Sequence, residues 1–93
     1  MSELVLRLYI AGRTPAAERA IRNLERIIRE AYGDDASCDL EVIDILERPQ
    51  LAEDERILAT PVVIKKLPPP VRRVVGDLSE REKVLIGLDL RED

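Results

Sequence analysis

TPVVIKKLPPPVRRVVGDLSEREKVLIGLDL, residues 60–90, is the stretch on which the reading of this fold turns. Val62-Val63-Ile64 is a β-branched run, the composition of a strand. Pro68-Pro69-Pro70 cannot lie inside a helix and offers no amide donors, so it reads as a stiff turn. A second run, Val71 to Val75, follows it, and the two runs pair as a hairpin. Ser79 and Glu82 have the spacing of a capping box, announcing a last helix over about Glu80 to Leu90. The order here is strand, strand, helix.

Upstream, Leu4 to Ile10 (LVLRLYI) is an apolar run of strand length, broken by Gly12. Thr14-Pro15 then opens a helix: the threonine side chain can accept from an orphan amide, and proline is tolerated at the first helical position. Ala17, Ala20, Ile21, Leu24, Ile27, Ile28 and Ala31 recur at three- and four-residue steps, and Gly33 stops the helix. After the polar turn Asp34 to Ser37, Leu40 to Leu46 reads as a second strand, with parallel pairing to the first through the helix between them. Pro49 opens a shorter helix to about Ala59, with Leu51, Asp54, Ile57 and Leu58 marking its turns, and Thr60-Pro61 closes it. The complete order is β-α-β-α-β-β-α in one α/β domain spanning residues 1–93. That is the order of the thioredoxin fold, in which the proline before the third strand, here Pro61, is expected to follow a cis bond.

Composition narrows the function. The chain has 93 residues, a net charge of −4, no histidine, phenylalanine or tryptophan, and two tyrosines, Tyr9 and Tyr32. So few aromatics leave little for bases to stack on, and an acidic balance argues against a general binder of nucleic acid. No segment has the length of a membrane span, and a lone cysteine, Cys38, fits a reducing, cytoplasmic setting. A thiol enzyme on this fold needs a cysteine at the start of the first helix, where the dipole stabilises thiolate. Gly12-Arg13-Thr14-Pro15 stands there instead. Without histidine the commonest general base and zinc ligand are also missing. The clusters Asp34-Asp35, Glu53-Asp54-Glu55 and Glu92-Asp93 read as solubilising charge. These features predict a protein without catalysis, cofactor or metal; a thiol enzyme using Cys38 is the competing reading from the enzyme class.

Three stretches are more specific than this: LYIAGRTP (8–15), VIDILERPQLAEDERILATP (42–61) and LPPPVRRVVGDLSEREKVLIGLDL (67–90). They resemble the KaiB family of circadian-clock proteins across nearly the whole chain. The last of them is much less like the KaiB-related sensor domain of the clock histidine kinase. The resemblance implies a binding protein that docks on the amino-terminal ring of the KaiC ATPase. Where KaiA exists, it also implies that KaiA is sequestered and the kinase displaced. It implies two folds for one sequence: the thioredoxin-like, binding-competent monomer, and a β-α-β-β-α-α-β ground state that assembles as a homotetramer, with slow switching between them as a timing step. A docking module for a histidine kinase or for a stress-linked KaiC homologue is the alternative.

Carried over residue by residue, the resemblance implies partner-binding roles for Arg19, Arg22, Arg56, Lys65, Arg72 and Arg73. It makes Gly87 and Asp89 the positions sensitive to the switch. Both weaken a helix there: glycine costs about 1 kcal/mol relative to alanine, and a carboxylate opposes the negative end of the dipole by about 0.3–1 kcal/mol. The chain departs from cyanobacterial members at Glu41 and Glu47, where they carry lysine, and in the turn from Asp34 to Cys38.

Overall fold

A computed structural model of the protein describes residues 3–34 and 37–90. Asp35 and Ala36 of the expected polar turn, and the acidic terminus Arg91-Glu92-Asp93, lie outside the described residues. The elements run β1 (Leu4–Ile10), α1 (Pro15–Tyr32), β2 (Cys38–Asp44), α2 (Pro49–Asp54), β3 (Val62–Leu67), β4 (Arg72–Val75) and α3 (Arg81–Gly87). The strands form one sheet in the order β2-β1-β3-β4. β1 and β2 are parallel, with α1 as their crossover, and the other pairs are antiparallel.

Strand alternation sorts the core onto two faces. Leu6, Leu8, Ile10 and Val63 pack against α1 and α3, meeting Ala17, Ala20, Leu24, Ile27, Val84, Leu85 and Leu88. Tyr9, Ile43, Val62 and Ile64 face the other way, where Leu51 and Ile57 partly cover them. α1 starts as its sequence dictates: Thr14 Oγ1 accepts from the Ala17 amide at 3.1 Å, and Pro15 takes the first helical position. It ends with the Gly33 amide on the Arg29 carbonyl at 2.8 Å.

Three expectations are corrected. α2 stops at Asp54 and not near Ala59, because Arg56 adopts φ 52°. The Arg56 amide then bonds to the Glu53 carbonyl and the Ile57 amide to the Ala52 carbonyl, which is a Schellman closure without glycine. Leu58, expected on a helix turn, is consequently 96% exposed in the following loop. α3 ends at Gly87 and not Leu90 by the same device, with Asp89 at φ 54°, its amide on Ile86 and the Leu90 amide on Leu85. The capping box does not form. Asp77 Oδ1 takes the Ser79 amide at 3.1 Å, and the helix opens at Arg81 after Glu80, which makes no side-chain cap. The strand bounds also move: β2 begins at Cys38 and ends at Asp44, and β4 begins at Arg72.

Candidate functional site

The carboxyl end of β1 is where a thioredoxin-type enzyme would hold its thiols. Here the Gly12 amide donates to Asp44 Oδ1 at 3.1 Å, and the Leu46 amide donates to the same oxygen at 3.0 Å. One carboxylate therefore ties the loop after β1 to the loop after β2. A Cβ on Gly12 would lie 3.5 Å from Leu46 Cδ1, so the two loops are in contact. On the other side, the Gly76 amide bonds to the Pro61 carbonyl at 2.9 Å, and Val75 pairs with Val62. The Thr60–Pro61 bond is cis, as expected from its place before β3; Leu67–Pro68 and Pro69–Pro70 are also cis.

Leu46 follows β2 and Val75 ends β4 at this end of the sheet, and Leu58 stands in the loop between α2 and β3; all three are open to water. Leu58 is 96% exposed, Leu46 70% and Val75 56%. Cys38 is remote from it, paired with Leu4 at the opposite end of the sheet. Burial pushes the Cys38 thiol up, with the Asp39 and Glu3 carboxylates acting in the same direction. That is the reverse of what a thiolate nucleophile requires. Among the described residues, this end of the sheet carries exposed apolar side chains and no cysteine.

The basic residues expected to bind partners fall into separate groups. Arg19 and Arg22 lie exposed on α1. Arg19 Nε is 3.3 Å from Asp77 Oδ2, and Asn23 Nδ2 donates to the Asp77 carbonyl at 2.9 Å, so α1 is tied to the loop before α3. Hydrogen bonds from Ser79, side chain and amide, hold the Asp77 carboxyl below its ordinary range, with Arg19 assisting. Arg56 and Arg73 come together on the α2 side of the sheet. The Arg73 guanidinium donates to the Glu55 carbonyl at 3.1 Å and the Arg56 carbonyl at 3.4 Å, closing the last turn of α2. Lys66 forms an ion pair with Glu55 beside them. Arg72, one residue along β4, belongs to the opposite face.

Lys65 departs from the expectation. It is 1% exposed, so it offers no charge to a docking partner. Strand alternation places it with Val63 on the face that α1 and α3 cover, and its Nζ donates to the Asp89 carbonyl at 3.4 Å. Gly87 has a role beyond weak helix propensity: a Cβ there would fall 2.5 Å from Val74 Cγ2, so its bareness lets α3 lie close on β4. Glu41, one of the acidic departures, is matched within the chain. Arg7 Nε lies 3.0 Å from one of its oxygens and Arg48 Nη1 3.6 Å from the other. Glu47 is exposed.

Comparison with known proteins follows this geometry closely. The KaiB domain model matches residues 7–90. The chain belongs to the KaiB family. It is 57% identical over 86 residues to the circadian clock oscillator protein KaiB of Microcystis aeruginosa, covering 92% of this chain and 81% of that one. To the circadian clock protein KaiB3 of Synechocystis it is 51% identical over 90 residues, covering 97% and 86%. These KaiB relatives are named as clock proteins and not as enzymes. Among solved structures, the amino-terminal domain of Synechococcus elongatus SasA aligns with a TM-score of 0.75 at 23% identity, over 100% of this chain and 90% of that one. Mitochondrial thioredoxin 3 of Saccharomyces cerevisiae aligns with a TM-score of 0.70 at 14% identity, over 96% and 79%. These two likenesses establish a thioredoxin-like fold. Sequence reasoning missed the Asp44 tie and the exposed leucines; Leu46 and Leu58 carry no pattern that separates them from core leucines until the loops around them are placed.

Proposed function

We propose that this KaiB-family chain is a non-enzymatic clock regulator that docks, in its thioredoxin-like form, on the ring of a KaiC-type ATPase. The observation that carries the reading is the apolar rim of Leu46, Leu58 and Val75 around a redox position that lacks cysteine. Burying such side chains against a partner is worth about 25 cal/mol per Å² before the costs of association. Arg19, Arg22, Arg56, Arg72 and Arg73 surround the fold as basic side chains for acidic surface on the ring, acting on encounter rate and specificity. Lys65 is withdrawn from that set. Where KaiA is present, the docked form would recruit it, and the clock kinase would be displaced. The β-α-β-β-α-α-β tetramer is the competing state, and its exchange with the form described here would delay docking, since apparent affinity falls with the fraction of competent conformer.

Mixing the protein with the KaiC-type ring of the same organism, and following co-elution by size exclusion, tests this. Wild type is expected to co-elute, and Leu58→Asp to lose at least tenfold in affinity with its fold unchanged by circular dichroism. Failure of wild type to bind in any nucleotide state of the ring would overturn the reading.

A further inference from the structure

Little of the Leu46 side chain packs against the rest of the molecule, since it is 70% exposed. Its position therefore depends on how the backbone under it is held, and that backbone converges on one residue. Asp44 ends β2 and stands opposite Ile10, the last residue of β1. Its Oδ1 accepts from the Leu46 amide at 3.0 Å, two residues on, and from the Gly12 amide at 3.1 Å, 32 residues away. Its main-chain carbonyl accepts from the Glu47 and Arg48 amides, both at 3.1 Å. The Ile45 amide bonds to the Ile10 carbonyl at 2.8 Å, which joins the two strand ends from the other side.

The two bonds to the side chain do different work. Bonding the amide two residues on bends the chain locally, as aspartate does in turns. Bonding Gly12 fixes that bend against a second loop. Gly12 has φ 79°, a conformation that glycine adopts without steric cost, and a Cβ on it would lie 3.5 Å from Leu46 Cδ1. An ionised acceptor strengthens both bonds. A loop already held in its docked shape binds without the loss of freedom that ordering it would cost.

We propose that Asp44 is a positioning residue for docking: its Oδ1 locks the loop after β1 to the loop after β2 and so holds Leu46 in place for a partner. The proposal rests on the docking reading above. Asp44 acts through the place of one oxygen atom and not through charge offered to the partner.

Two substitutions separate those roles. Asp44→Asn keeps an acceptor oxygen with two lone pairs at the same place and removes the charge. Asp44→Glu keeps the charge and moves the oxygens outward by one methylene. Affinity for the KaiC-type ring is expected to stay within twofold of wild type in Asp44→Asn and to fall at least fivefold in Asp44→Glu. In a Leu46→Ala background, Asp44→Glu should cause no further loss. Weakened binding by Asp44→Asn, wild-type binding by Asp44→Glu, or an undiminished loss in the Leu46→Ala background would overturn the proposal. A second readout needs no ring. The NMR cross-peak between the Gly12 α-protons and the Leu46 δ-methyls should persist in Asp44→Asn and vanish in Asp44→Glu. Loss of that cross-peak in Asp44→Asn would overturn the tie whatever the ring does. A wild type that shows the cross-peak and binds no ring would instead overturn the docking reading and, with it, the role of the tie in docking.

Discussion

The amino-terminal β1-α1-β2 unit and the carboxy-terminal β3-β4-α3 unit share one sheet, yet they are secured differently. α1 is capped by a threonine side chain, led by proline and closed by glycine, and it presents six buried apolar residues to the sheet. α3 lacks a side-chain cap, ends on Asp89 in the left-handed region, depends on Gly87 to clear Val74, and covers a lysine. Local preference and tertiary packing agree in the first unit. In the second, packing holds a segment whose local signals are mixed. Agreement across levels is what singles out one structure, and it is more complete in the first unit.

Core truncation is the strongest way to break that contrast. Leu24 in α1 and Leu88 after α3 are both fully buried. Leu24→Ala should cost about 2–5 kcal/mol of global stability by urea unfolding. Leu88→Ala should move the urea midpoint less, because its cost is limited to what α3 docking contributes. Equal midpoint shifts would remove the distinction between the two units. Next in size, Arg73→Ala strips two donors from the end of α2 and should cost about 1 kcal/mol, read as faster amide exchange at Ile57 than at β1. Asp89→Gly acts in the opposite direction. It relieves the left-handed conformation at φ 54° and should stabilise α3 by about 0.5–1 kcal/mol, seen as slower exchange at Leu90.

The smallest effect concerns pH. The Asp77 carboxyl lies below its ordinary value of 3.8, held there by Ser79 and then Arg19. A depressed carboxyl contributes stability that is present above its unfolded value and lost as pH falls through its folded value. Below about pH 4, the tie between α1 and the loop before α3 should therefore weaken. Asp77→Asn should flatten that part of the stability profile in an acid titration followed by circular dichroism, leaving the profile above pH 5 parallel to wild type.

What could be read from residues alone follows the same division. β1, α1 and β2 announce themselves by an apolar run, a 3.6-residue period between Thr14 and Gly33, and a β-branched run. The cis bond before Pro61 followed from its position ahead of β3. The ends of α2 and α3 were illegible because arginine and aspartate occupy the left-handed closing positions where glycine is the usual signal. The spacing of Ser79 and Glu82 misled for a related reason: Asp77, two residues earlier, competes for the Ser79 amide. Of the expected site residues, Lys65 could not be recognised as buried from sequence. Its neighbour Lys66 is an ordinary half-exposed cation, and only the fold places Lys65 on the face that α3 covers.

The central claim, that the chain works as a thioredoxin-like docking protein, is tested most directly by amide NMR secondary chemical shifts across residues 81–87 as concentration is raised. Helical shifts in a species that tumbles as a monomer are the result this account predicts. Extended shifts there, in a larger species whose population grows with concentration, would contradict it.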